Sequence, residues 1–166
     1  QRVHIGGWFT SVGGEADTET LTTVQASNGA TLSSWNNGLP IQPHPWAWSP
    51  TGGIVLDVDV YGNNLYVAGA EHIWIRMSST TGSILQNYPS RHDTQSVNIT
   101  DDRVFIGCHC RLTPEFWSYQ IDAASGTIVD TYTDGWTGDD GSWAVAVAPD
   151  KCIWTGGGLN SAPWAD

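Results

Sequence analysis

The chain repeats itself, and the form of the repeat restricts its fold more than any other feature. Three segments align without gaps. They are Asp57-Val58-Asp59-Val60 leading to Leu65-Tyr66-Val67-Ala68-Gly69, Ser96-Val97-Asn98-Ile99 leading to Val104-Phe105-Ile106-Gly107-Cys108, and Ala144-Val145-Ala146-Val147 leading to Cys152-Ile153-Trp154-Thr155-Gly156. Each pair of runs flanks a short polar turn (YGNN, TDD or APDK), which is the pattern of a β-hairpin. A second motif follows: VQASNGATL at 24–32 matches IDAASGTIV at 121–129, and Arg76–Leu85 is a looser version with Gly82 at the turn. Glycine suits such turns because it takes positive φ without a Cβ clash. One repeat is thus two hairpins in series, or four antiparallel strands.

The repeat starts are 39 residues apart from Val58 to Val97 and 48 from Val97 to Val145. Four strands on a period of about 40–50 residues is the spacing of a β-propeller blade. The clearest copy is Thr94–Tyr132, with runs at Ser96–Ile99, Arg103–Gly107, Glu115–Asp122 and Thr127–Tyr132. The expected fold is all-β, a β-propeller segment of four-stranded antiparallel blades, two complete and two partial. The complete blades are 53–89 and 94–132. Residues 1–35 form a blade lacking its first strand, 36–52 a Pro-rich loop, and 142–166 a partial blade with two strands. The two partial blades overlap rather than complement each other. The chain also begins at Gln1 rather than Met. Both observations lead us to expect a piece of a larger ring, completed by further blades of the same parent chain or of another subunit. Strand edges and apolar blade faces would otherwise lie open.

Composition narrows the partners. The net charge is −11, with Lys151 the single lysine. Such a surface repels phosphate, so no nucleic-acid partner is expected. No apolar run approaches the roughly 20 residues of a membrane-spanning helix. Cys108, Cys110 and Cys152 are too few for a structural zinc site; they are candidates for one disulfide, whose pairing the spacing leaves open, or for three buried free thiols.

The repeats resemble a family of β-propellers found in secreted bacterial proteins and bacteriophage tail proteins. The family pattern is a strand of the type VYVGG-F-VGG, a turn of the type DAATGAL-W and a later strand of the type VxALAV. Here these read VHIGGWFTSVGG at 3–14, QASNGATLSSW at 25–35 and WAVAV at 143–147. Cys108 and Cys110 depart from it, standing where glycine or aromatic residues are expected. The resemblance covers most of the chain and implies extracellular display, secreted or on a virion surface, beside adhesion or lectin-like modules. It implies no catalytic set.

Candidate site residues follow from aligning the copies. The loops entering the first strand of each blade border a central channel, so His92, Asp93, Gln95, Asp140 and Trp143 are expected near its mouth. Gln95 and Trp143 align with Leu56. Asp57, Asp59, Ser96 and Asn98 read as wet channel lining by period-two alternation. The sequon at Asn98 lies in an inner strand, where a glycan would not fit. Trp136 stands in the acidic loop DGWTGDDG, whose Asp134, Asp139 and Asp140 are weak calcium candidates without EF-hand spacing. No other cofactor is indicated. Trp46 and Trp48, in the Pro-rich loop, could stack on a sugar or anchor a partner. Trp8, Trp74, Trp117 and Trp154 lie in strand-like runs and read as core.

Enzyme motifs such as Gly-x-Ser-x-Gly, His-Glu-x-x-His or a phosphate loop do not occur. The expected function is a non-catalytic extracellular recognition or display module that binds a surface glycan or a partner protein. The setting is an adhesin-like or phage-tail assembly. Two competing readings are a structural, self-assembling spacer and a hydrolase or lyase with its site at the channel mouth.

Overall fold

A computed structural model describes residues 1–15, 20–35, 54–70, 73–88, 93–108, 118–132, 137–148 and 152–161. These residues form four antiparallel sheets, with no helix among them. The first sheet pairs β1 (Arg2–Gly6) with β2 (Leu21–Gln25), and Thr31 bridges back to Val24. The second is a meander of β3 (Val55–Tyr61), β4 (Asn64–Gly69), β5 (Ile73–Ser78) and β6 (Ile84–Asn87). The third repeats it with β7 (Thr94–Thr100), β8 (Arg103–Cys108), β9 (Ser118–Asp122) and β10 (Ile128–Tyr132). The fourth is a long hairpin of β11 (Thr137–Val147) and β12 (Ile153–Ser161).

The sheets stack face to face in chain order, and alternation along the strands assigns side chains to the two sides. In β4, Leu65 and Val67 join Leu21, Trp35, Val55, Ile75 and Met77 in a core between the first and second sheets. Tyr66 and Ala68 point the other way, into a core with Trp74, Tyr88, Val97, Val104, Ile106, Ile121 and Ala123 between the second and third. This sandwiching explains why the second strand of each repeat reads as a continuous apolar run. Close approach is enforced locally: a Cβ on Gly6 would overlap Val55 of the next sheet.

The first strands stand side by side, with β7 packed against both β3 and β11. Each carries a bulge at the matching repeat position, at Leu56 and Gln95 near the starts of β3 and β7 and at Trp143 midway along β11. These three residues are the ones that align in sequence.

The hairpin turns explain a register correction. Two residues separate Tyr61 from Asn64 and Thr100 from Arg103. In the fourth sheet, Ala148 donates to the Cys152 carbonyl at 2.9 Å, leaving three residues between them. Hence Val145 pairs with Thr155, whereas Val58 pairs with Val67 and Val97 with Ile106. The ungapped alignment is one residue out in β12. The correct match sets Ile153-Trp154-Thr155-Gly156-Gly157 against Val3-His4-Ile5-Gly6-Gly7, and Trp154 takes the place of Tyr66.

This register accounts for a second correction. Trp74 is buried as expected, but Trp8 is 63% and Trp154 67% exposed. Trp154 points away from the third sheet, toward a side that no described sheet covers. Trp117 lies outside the described residues. The fourth sheet also begins at Thr137 rather than Ser142, so Thr137–Gly141 belong to β11 and not to an acidic loop. Extended pairing with the glycine-rich Gly156–Ser161 segment carries the strand that far, across irregular steps at Gly138 and Gly141.

Candidate functional site

Two groups of polar residues tie the second sheet to the third, and a row of bulges runs beside them. The first group is Asp57 and Asp59. In a two-residue hairpin, alternate residues turn their backbone groups away from the partner strand. Val58 and Val60 in β3, and Val97 and Ile99 in β7, present such outward N–H groups. The Asp57 carboxylate accepts from Val58 N at 2.9 Å through Oδ1 and from Val97 N at 3.0 Å through Oδ2. Asp59 does the same with Val60 N and Ile99 N, both at 2.8 Å. Each carboxylate thus satisfies donors on two neighbouring strand edges. This corrects the reading of both aspartates as wet lining: the unpaired edge donors draw them into a clamp. Burial pushes the Asp57 carboxyl above its ordinary range, helped by the Asp59 charge and opposed by the two amide bonds.

The clamp is not repeated between β7 and β11. The counterparts of Asp57 and Asp59 are Ser96 and Asn98. The Ser96 hydroxyl is buried with no hydrogen-bond partner among the described residues. Asn98 Oδ1 accepts from Thr100 Oγ1 at 3.3 Å.

The second group receives a turn. The segment Asp122–Thr127 folds so that Gly126 N donates to Asp122 O at 2.8 Å, and Asp122 Oδ1 accepts from Ser125 N at 2.8 Å and Ser125 Oγ at 2.7 Å. Those bonds, the Ser125 amide first, hold the Asp122 carboxyl below its ordinary range. The second sheet captures the carbonyls of this turn. Tyr66 OH donates to Ala123 O at 3.0 Å, Asn64 Nδ2 to Ala123 O at 2.9 Å and Ala124 O at 3.1 Å, an Arg76 guanidinium nitrogen to Ala124 O at 3.0 Å, and Tyr88 OH to Gly126 O at 2.9 Å. Burial raises both tyrosine hydroxyls above their ordinary range, so they remain donors at neutral pH. Tyr88 also stacks on Trp74, with centroids 4.5 Å apart and planes 19° apart.

The same turn occurs twice more. Gly29 N donates to Gln25 O, and Gly82 N to Ser78 O, both at 2.8 Å, and both glycines have positive φ. In the first sheet the Tyr66 position is held by His4. Its Nδ1 lies 2.6 Å from Thr23 Oγ1, and burial together with the Arg2 charge lowers its pKa. Sequence reading found the turn motif but missed its receivers. The polar tips of Tyr66 and Arg76 on otherwise apolar strands were the available signal.

Of the residues expected at the channel mouth, Gln95 and Trp143 occupy matching bulges on adjoining strands, and Trp143 is 50% exposed. Asp93 lies just before β7 and is half-buried, and Asp140 lies in the irregular part of β11. His92, Trp46, Trp48, Trp136 and Asp134 are outside the described residues, as are the side chains of Asp139 and Asp140. Among the described residues no cluster of three His, Cys, Asp or Glu side chains is placed to hold a metal. Cys108 is disulfide-bonded and Cys152 is exposed. Cys110 lies outside the described residues.

No family model matches the sequence, and no curated protein does. Solved structures do resemble the fold. The computationally designed Ika8 protein superposes with a TM-score of 0.58 at 12% identity, over 85% of this chain and 38% of that one. Sqt1 of Saccharomyces cerevisiae gives 0.60 at 11%, over 82% of this chain and 36% of Sqt1. The designed Ika4 protein gives 0.55 at 12%, over 84% of this chain and 80% of Ika4. This chain therefore spans little more than a third of Ika8 and of Sqt1, and at such identities the likeness concerns fold alone.

Proposed function

We propose that the chain is an arc of a β-propeller that serves as a non-catalytic extracellular recognition module. Its ligand site is the row of matching bulges on the inner strands. The observation that carries this reading is the same bulge at the same repeat position in three adjoining strands, holding Leu56, Gln95 and Trp143. Bulges re-aim a side chain and interrupt pairing, and they concentrate next to functional sites. Here they set an apolar, an amide and an indole side chain in one row. An exposed indole beside an amide suits the apolar face and hydroxyl edge of a sugar ring. A surface glycan is therefore the ligand we favour.

Two further points support the setting. The bonded Cys108 suits an oxidising compartment. The net charge of −11 favours neutral ligands over polyanions. The test is a glycan array followed by calorimetry on the hits. Trp143→Ala is expected to weaken binding by about 10-fold or more, as loss of a central aromatic contact does. Absence of binding to any glycan, or binding indifferent to both Trp143→Ala and Gln95→Ala, would rule this reading out.

A further inference from the structure

A further exposed indole lies at one end of the bulge row. Trp8 follows β1 and is 63% exposed. Its backbone is held in place. Gly7 N donates to Thr20 O at 2.9 Å, and Thr20 N donates to Phe9 O at 3.1 Å. Both bonds run to one residue, so the segment Gly7-Trp8-Phe9 bows out opposite Thr20 with Trp8 at its middle. Such an irregularity re-aims a side chain, as the bulges of the inner strands do. Thr20 is buried and has a φ of 61°, a left-handed conformation that β-branched residues rarely adopt. Backbone held in this way collects at ligand-binding sites. Here it presents a large ring to solvent rather than to a core.

Two observations place Trp8 at the row. Gly6 lies against Val55 and Val58 of β3, so closely that a Cβ on it would overlap Val55. Val55 immediately precedes the Leu56 bulge. Trp8 comes two residues after Gly6, within about 7 Å of chain from that contact. Repeat register gives the same placement. Trp8 corresponds to Ala70, whose N–H donates to Ile54 O at 2.8 Å beside the entry to β3. The order from the first sheet to the fourth is then Trp8, Leu56, Gln95 and Trp143, with an exposed indole at each end. From β3 to β11 the row crosses two steps between neighbouring sheets, on the order of 20 Å at the usual sheet spacing. That is longer than one sugar ring.

We infer, given the glycan reading above, that the ligand is an oligosaccharide of several sugars laid along this row. One sugar stacks on Trp143 and a distal one on Trp8, and the chain between them passes Gln95 and Leu56. Indoles suit this role because their faces take the apolar side of a sugar ring. Trp8 thereby sets the length of chain that the site prefers.

Calorimetry with a homologous series of neutral oligosaccharides, from one to six sugars and chosen from the class that binds on the array, tests it. Wild-type affinity is expected to rise with length until both indoles are engaged. Trp8→Ala should weaken the longest members by about 10-fold or more and the shortest far less, whereas Trp143→Ala should weaken every length. Trp8→Phe should restore most of the length dependence. Trp8 is exposed, so the circular dichroism spectrum and Tm should stay unchanged in both Trp8 variants. A packing role would lower Tm and leave the length dependence intact. Wild-type affinity independent of length would overturn the inference. So would a Trp8→Ala chain that binds every length as wild type does, even where Trp143→Ala still weakens binding. A wild-type chain that binds no member of any series removes the glycan reading itself, so the two failures are told apart.

Discussion

The turns at Gln25–Ala30 and Asp122–Thr127 have the same backbone bonds and the same positive-φ glycine, but opposite surroundings. The second is gripped by Asn64, Tyr66, Arg76 and Tyr88 of the neighbouring sheet, whereas the first lies open. Since the covered and the open turn have one shape, that shape is local in origin. It comes from hydrogen bonds within six residues and from glycine at the fifth. The docking surface is therefore built before anything docks, and the energy of the junction resides in the receivers.

Substitutions can separate these contributions. The largest difference is expected between two tryptophans. Trp74→Ala empties the core between the second and third sheets and should cost about 3–5 kcal/mol in denaturant unfolding. Trp154→Ala on the open face should change monomer stability by about 0.5 kcal/mol or less. Equal losses would mean that the two faces are not distinct.

Asp57→Ala comes next. It leaves Val58 N–H and Val97 N–H without their acceptor at a part-buried junction, for a loss of about 2–3 kcal/mol. The glycines of the two turns give the closest comparison. Gly29 and Gly126 have φ of +73° and +77°. A Cβ on Gly126 would stand 2.6 Å from Gln86 Oε1 and 2.7 Å from Arg76 Nε, whereas one on Gly29 meets nothing within 4 Å. Gly29→Ala should therefore cost only the left-handed backbone, about 1 kcal/mol, and Gly126→Ala about 2 kcal/mol because Arg76 must also give up its carbonyl. Identical losses would show that the receivers contribute nothing.

The smallest effect is in pH. Because Asp57 has a raised folded pKa, the folded state binds its proton more readily than the unfolded chain. Its stabilising contribution is complete below the ordinary aspartate pKa and is lost as pH rises through the folded value. Measured against Asp57→Asn, wild type should lose stability from acid to neutral pH. A difference that moves the opposite way would indicate that the two amide bonds outweigh burial.

Much of the architecture was legible because strand alternation and turn glycines are local signals. The four-strand unit and the thrice-used turn both follow from them. What escaped reading depended on neighbours. Asp57 and Asp59 alternate with valines as solvated residues would, and only the adjacent β7 edge reveals them as a clamp. Trp8 and Trp154 lie in apolar runs like that of Trp74, but burial requires a covering sheet. Gln95 and Trp143 were placed together by alignment, whereas the bulge that marks their position is a matter of pairing.

The three-residue spacing between Ala148 and Cys152 has a consequence for the origin of new surfaces. Side chains on a strand alternate, so shifting its register by one residue exchanges its two faces. With a two-residue turn, Trp154 would lie on the side of the third sheet, and Thr155 would look outward. For the residues as they stand, the length of the turn thus decides which face of β12 carries the indole. In a duplicated chain, a turn closed at a different length can therefore exchange the two faces of a strand without altering any residue of the strand itself.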